Sequence, residues 1–170
     1  VGSDASGLEL RCLAHFLGVM GDPSYAEEVV NGDIHTTNQT AAGLPSRDQA
    51  KTFIYAFLYG AGDEKIGSIA GKGAAHGKKL KKDFLDNIPS LKVLKTTVEN
   101  LADKNGSLPS LDGRRIRIRK AYSALNFLLQ GGGAALMKKA LLNGVDSLRE
   151  VGIPFKIVAN VHDELQVETP

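Results

Sequence analysis

Pro45-Ser46-Arg47-Asp48-Gln49-Ala50-Lys51-Thr52-Phe53-Ile54-Tyr55-Ala56-Phe57-Leu58-Tyr59-Gly60 sorts two cations and two phenols onto one side of a predicted helix. At about 100° per residue, Arg47, Lys51, Tyr55 and Tyr59 fall within an arc of roughly 120°, while Ala50, Phe53, Phe57 and Ala61 lie at about 240° to 320°. One face packs; the other presents charge and rings. Ser46 with Gln49 three residues on is a capping-box pattern, and Pro45 is excluded from a helix interior, so the start is marked. Arg47 then sits in the first turn, where free N–H groups favour anions. Arg47 and Lys51 suit a polyphosphate, and Tyr55, about 12 Å from Arg47 at a rise of about 1.5 Å per residue, suits a base or sugar. A nucleoside triphosphate has that layout. A solvated amphipathic helix with snorkelling cations has the same pattern, so the weight must come from the rest of the chain.

With 170 residues, 42% of them hydrophobic, and mixed charge, the chain reads as globular with a sizeable core. Disordered and fibrous classes are excluded. A net charge of +2 is too small to argue nucleic-acid binding from bulk electrostatics. The single cysteine, Cys12, excludes an intrachain disulfide and a cysteine-rich zinc site, and is expected as buried packing. No apolar run approaches the roughly 20 residues of a membrane span. The chain opens on Val1-Gly2-Ser3-Asp4 and closes at Thr169-Pro170 beside patterned sequence, so a fragment of a longer protein is expected.

Leu8, Leu10, Leu13, Phe16 and Leu17 recur at helical spacing behind a turn or strand end that carries Asp4. Asn31-Gly32-Asp33 punctuates, and from Ile34-His35 to about residue 100 the pattern is helical, with breaks expected at residues 60–62, at 71–77 and at Pro89. Lys78, Lys79, Lys81 and Lys82 form either a solvated helix face or a phosphate-backbone contact. The stretch from Leu111 to Lys120 switches to period two, with Arg115, Arg117 and Arg119 on one face and Ile116 and Ile118 on the other, so an arginine-faced strand is expected. Such a face suits a phosphate backbone or a plain polar strand edge. Residues 124 to about 142 read as helix, but Gly131-Gly132-Gly133 implies a break or a close backbone neighbour, to which Asn126 and Gln130 offer amides. Residues 155–168 read as a hairpin about His162-Asp163-Glu164. Asp4 and Asp163-Glu164 thus stand at the ends of apolar segments, and paired carboxylates of this kind repel unless protonated or bridged by cations. Mg²⁺ takes one or two carboxylates plus substrate phosphates.

At these residues the chain resembles the family A DNA polymerases, the group of bacterial DNA polymerase I and many phage replicases, and most of all the replicases of short-tailed phages. Asp4-Ala5-Ser6-Gly7-Leu8-Glu9-Leu10-Arg11 looks like the first polymerase motif, Arg47, Lys51, Tyr55 and Tyr59-Gly60 like the second, and Val161-His162-Asp163-Glu164 like the third. Gly32-Asp33-Ile34-His35 and the stretch from Asn126 to Gln130 are further matches. Three motifs in order are far more specific than any one.

The resemblance implies an α+β fold: a palm built from residues 1–36 and 110–170 on an antiparallel sheet, and mainly helical fingers at 37–109 containing the 46–60 helix. A thumb and any exonuclease domain would lie outside these residues. The implied function is template-directed transfer of deoxynucleotides to a primer 3′-hydroxyl by two-metal-ion catalysis. Two Mg²⁺ ions would sit on Asp4, Asp163 and the Ala5 carbonyl; His35, Arg47 and Lys51 would bind phosphates, Lys51 also protonating pyrophosphate. Tyr55 would lie against sugar and base, Glu9 would exclude a ribose 2′-hydroxyl, and Tyr59 would stack near the templating base. His162, Glu164, Asn126 and Gln130 would meet the primer terminus, the metal surroundings or the minor groove. Implied partners are primer-template DNA, deoxynucleoside triphosphates and a processivity factor bound by parts outside these residues; the implied location is the cytoplasm of a phage-infected bacterium. Two rivals remain: a single-subunit phage RNA polymerase, against which Glu9 and Glu164 argue, and a thumbless fragment that binds nucleic acid or nucleotide without catalysis.

Overall fold

The computed structural model describes all 170 residues. A short strand β1 (Gly2–Asp4) leads into helix α1 (Leu8–Val19), followed by α2 (Ser24–Asn31), α3 (Ile34–Ala42), α4 (Arg47–Leu58), α5 (Asp63–Ile69), α6 (Ala74–Asn87) and α7 (Pro89–Asn105). Strands β2 (Ser107–Pro109) and β3 (Arg115–Arg117) form a two-stranded ribbon. A single 3₁₀ turn (Ala121–Ser123) then opens the long helix α8 (Ala124–Glu150), and the hairpin β4 (Lys156–Val161) and β5 (Glu164–Glu168) closes the order. The fold is α+β, as expected. No helix is long and apolar enough to cross a membrane.

The main sheet has strand order β1-β5-β4, all antiparallel, so the residues around Asp4 are joined to those around Asp163 across the whole helical region. Asp4 stands opposite Glu164 in the register. The hydrophobic core runs under the helices instead: Leu13 and Leu17 of α1, Phe53 and Ile54 of α4, Phe84 of α6, Leu91 of α7 and Leu129 of α8 are essentially inaccessible. Phe53, Phe57 and Phe84 form a ring cluster with centroids 5.1 to 5.9 Å apart, two of its pairs edge-to-face, the arrangement the ring quadrupole favours. This cluster anchors the apolar face of α4. Arg47 and Lys51 are thereby left in solvent, with Tyr55 half-buried at the boundary.

The start of α4 follows the capping expectation in half. Ser46 Oγ accepts the Gln49 N–H at 3.3 Å, but Gln49 Oε1 is buried without a partner, so the reciprocal bond of a full capping box does not form. Pro89 occupies the first turn of α7, where its missing N–H costs nothing.

The expected break at Gly131-Gly132-Gly133 is corrected: α8 runs through all three. The glycines instead clear space for side chains. A Cβ at Gly131 would stand 2.6 Å from Ile116 Cδ1, one at Gly132 would stand 3.2 Å from Leu111 Cδ1, and one at Gly133 would stand 2.9 Å from Leu8 Cδ2. Helix α8 thus seats the β2–β3 ribbon and α1 close to its axis, and that burial outweighs the propensity cost. A backbone approach does occur between α5 and α6, where a Cβ at Gly77 would lie 1.9 Å from the Asp63 carbonyl oxygen. Gly77 is therefore inside α6, and the predicted break is confined to residues 70–73.

The arginine strand is shorter than its period suggested. Only Arg115–Arg117 pairs with β2; Arg119 lies beyond it, and the buried Ile118 closes back by donating its N–H to the Gly106 carbonyl. Of the lysine cluster, Lys79 pairs with Asp83, Lys82 with Asp86 and Lys81 with Asp63, so three of these four cations are spent within the chain. This face is a paired, solvated one.

Candidate active site

The site begins where the sheet ends. The Ala5 N–H donates to the Asp163 carbonyl at 2.9 Å, which continues the β1–β5 pairing one step past Asp4 and sets the Asp4 and Asp163 segments side by side. The turn between β4 and β5 holds His162 at φ 56°, the single non-glycine residue with positive φ. A left-handed residue at that point turns the chain tightly enough to bring Asp163 to the strand ends. No ion pair within the chain engages Asp4, Asp163 or Glu164. Glu164 Oε1 accepts a hydrogen bond from Gln166 at 2.9 Å.

Gly7, left-handed at φ 64°, lets the chain turn from β1 into α1, and places Glu9 in the first turn, where the helix dipole favours a carboxylate. Glu9 is only 7% exposed. Its Oε1 accepts the Tyr59 hydroxyl at 2.8 Å and stands 3.3 Å from His162 Nε2. One carboxylate oxygen therefore links α1, the end of α4 and the hairpin turn. Burial, followed by the hydrogen bond to Glu9, pushes the Tyr59 phenol up to about 12. Burial first, then the charges of Glu9 and Asp163, also raises the Tyr55 phenol.

Along α4 the surface turns from acidic to cationic. The His35 ring lies 6.3 Å from the Tyr55 ring at a tilt of 51°, with Nδ1 buried and unpartnered. Burial, then the nearby charge of Arg47, lowers the His35 pKa, so the imidazole is neutral at neutral pH. Lys51 is exposed and enters no ion pair, whereas Arg47 is clasped by Asp33 through two hydrogen bonds, of 2.6 and 3.0 Å. This pairing holds the Asp33 carboxyl well below the usual carboxylate range.

Glu9, Gln130 and His162 line a cavity of about 400 Å³ together with Asn160, Met137 and Lys138. The last three were not singled out from sequence, because nothing in their local pattern marks them. Asn126 does not line this cavity; it is half-buried with an unpartnered Oδ1. A larger cavity of about 870 Å³, between α2, α3 and the α6–α7 junction, contains none of the expected site residues. His15 and Cys12 lie outside the site: His15 is exposed against Phe16, and Cys12 is core.

Two carboxylates with uncommitted oxygens at adjoining strand ends fit a hard divalent cation. No cluster of three or more His, Cys, Asp or Glu groups exists that would form an all-protein cage.

Known proteins are similar to this chain in sequence and in fold. The model of DNA polymerase family A matches residues 1–170. The chain belongs to the family A DNA polymerases. It is 46% identical over 186 residues to the DNA-directed DNA polymerase of Escherichia phage T7, a match covering 98% of this chain and 26% of that protein. Similarity extends to the DNA-directed DNA polymerase of Escherichia phage Phieco32, at 38% identity over 98% of the chain and 32% of that protein, and to DNA polymerase I of Geobacillus stearothermophilus, at 29% identity over 99% of the chain and 21% of that protein. Among solved structures, the polymerase domain of Pol1 from M. smegmatis, in complex with DNA primer-template and dNTP, superposes with a TM-score of 0.85 at 23% identity. The match covers 99% of this chain and 33% of that one, a likeness of fold. The chain spans about a quarter of the length of the T7 relative.

Proposed function

We propose that this chain forms the palm and fingers of a DNA-directed DNA polymerase, which extends a primer with deoxynucleoside triphosphates copied from a template. Residues 1–36 and 110–170 serve as palm, and 37–109 as fingers. The observation that carries the reading is the joining of Asp4 to the Asp163 turn, together with the Glu9 carboxylate that meets both His162 of that turn and Tyr59 at the end of α4. Membership of the family, and a fold neighbour described with primer-template and dNTP, support the same substrates.

Asp4 and Asp163, with the Ala5 carbonyl, would hold two Mg²⁺ ions, which when bound would supply the charge stabilisation and the acidification of the primer 3′-hydroxyl that two-metal sites provide in polymerases as a class. Arg47 and Lys51 offer fixed positive charge to the β- and γ-phosphates, where charge develops as pyrophosphate leaves. Lys51, uncommitted to any carboxylate, delivers a proton to that leaving group. His35, neutral and pressed toward Tyr55, donates or accepts a hydrogen bond at the phosphate tail without adding charge. Tyr55 lies against the sugar and base. Glu9, fixed by Tyr59 and His162, walls the space a ribose 2′-hydroxyl needs. Tyr59 stacks near the templating base, and Gln130, His162, Glu164 and Asn126 face the primer terminus and minor groove.

The test is primer extension with Mg²⁺ by the chain, beside Asp163→Ala, using deoxy- and ribonucleoside triphosphates. Extension with deoxynucleotides that Asp163→Ala abolishes is the expected result. Equal extension by both proteins would reject the catalytic assignment, and efficient ribonucleotide use would turn the reading toward an RNA polymerase.

A further inference from the structure

We propose that Asp33 is the positioning residue for Arg47, holding the guanidinium by one edge so that the other edge is presented to the triphosphate. The proposal rests on the reading of Arg47 as a triphosphate ligand. Arg47 Nε donates to Asp33 Oδ2 at 2.6 Å, and Nη2 donates to Oδ1 at 3.0 Å. This is the side-on bidentate pair, which uses two of the five guanidinium N–H groups and leaves three, two on Nη1 and one on Nη2.

The carboxylate is itself fixed. Asp33 Oδ1 also accepts the His35 N–H at 3.1 Å, and Oδ2 accepts the Thr36 hydroxyl at 2.8 Å, because Asp33 is the N-cap of α3. Each oxygen thus takes two hydrogen bonds, which leaves little capacity for a metal ion. A chain of fixed groups results: the start of α3 orients Asp33, and Asp33 orients Arg47 at the start of α4. Both side chains are about half exposed, at 50% and 43%, so the free edge of Arg47 reaches solvent where an anion arrives.

At that exposure an ion pair contributes little to stability. Its effect lies in preorganisation. A free arginine must surrender many rotamers when it grips a phosphate, and one already held in a single conformation does not. Asp33 also offsets the charge of Arg47, which leaves Lys51 as the uncompensated cation of this face. An isolated anion then meets one net charge, whereas a triphosphate that spans both residues gains from both.

The alternative geometry is competition, in which Asp33 blocks Arg47 until nucleotide displaces it. The two differ in sign. Asn is itself a good N-cap, so Asp33→Asn keeps α3 capped while weakening the grip on Arg47. Equilibrium binding of dTTP with Mg²⁺ is measured by calorimetry for the wild-type chain, Asp33→Asn, Arg47→Ala and the double variant, with circular-dichroism melts to verify folding. Positioning predicts that Asp33→Asn weakens binding about threefold to tenfold, raises KM in primer extension with kcat little changed, and adds nothing in the Arg47→Ala background. Tighter or unchanged binding by Asp33→Asn overturns the proposal. So does an equal loss in both backgrounds, which would place the effect in α3 rather than in Arg47. If wild type binds and Arg47→Ala binds equally well, the triphosphate reading of Arg47 fails first, and the positioning role with it.

Discussion

The Tyr59 hydroxyl donates a 2.8 Å hydrogen bond to Glu9 Oε1, tying the C-cap of α4 to the first turn of α1 across 50 residues of sequence. Glu9 is buried, and its other polar neighbour is His162, at 3.3 Å. Removing the phenol leaves a buried carboxylate underpaired. Tyr59→Phe is expected to destabilise the chain by about 1 to 2 kcal/mol, measured by urea unfolding, since hydrogen bonds to charged groups fall near that range. An unchanged midpoint would show that water replaces the phenol at no cost.

Glu9 is held by both partners, which makes it a rigid wall rather than a mobile side chain. Glu9→Ala is expected to lower the preference for deoxy- over ribonucleotides at least about tenfold in kcat/KM, equivalent to about 1.4 kcal/mol of differential transition-state binding. If the ratio is unchanged, Glu9 is a structural buttress alone.

Two glycines should answer alanine with opposite signs. At Gly77 a Cβ would meet the Asp63 carbonyl oxygen at 1.9 Å and the Gly67 nitrogen at 2.6 Å, so α5 and α6 must separate; a loss of about 3 kcal/mol or more is expected. Gly144 of α8 has nothing within 4 Å of such an atom. There Gly144→Ala should raise stability by about 0.5 to 1 kcal/mol through helix propensity. Thermal melts of the two variants decide both.

These glycines show what the sequence could and could not reveal. The face of α4 was legible because period, cap and proline agree, and the hairpin because period two flanks an acidic turn. Gly131-Gly132-Gly133 misled because propensity is local, whereas Ile116, Leu111 and Leu8 fill the groove from distant segments. The motif residues of the site were legible as types at spacings. Their partnerships were not: nothing local joins Glu9 to Tyr59, or Asp33 to Arg47 across 14 residues and a loop.

Asp86 gives a pH signature. Hydrogen bonds from Lys82, then from Lys92, lower its carboxyl to about 2. A folded-state value below the unfolded one of about 3.9 means that the contribution is complete above that unfolded value and is lost as pH falls from about 4 through 2. The stability gap between wild type and Asp86→Asn should stay constant from pH 7 to 5 and close below pH 4. A gap that persists at pH 2 would show that packing, not charge, holds the residue.

Cys12 is 1% exposed, and burial, then the charge of Glu9, raises its thiol to about 11. Alkylation by iodoacetamide at pH 8 should therefore proceed only through unfolding, with a rate that rises with urea in step with the unfolded fraction. Rapid labelling of the native chain would show that α1 opens locally.

Strand β1 is made before every helix, and β5, its only partner in the sheet, after all of them. During synthesis the helical layer has its sequence in hand long before β1 has a strand to pair with. Assembly of the Asp4 and Asp163 pair is thus a late, long-range closure, slow by the usual dependence of folding rate on sequence separation. A ribosome-stalled chain that lacks β5 would carry a formed α4 but would have no partner strand to hold the Asp4 segment beside Asp163.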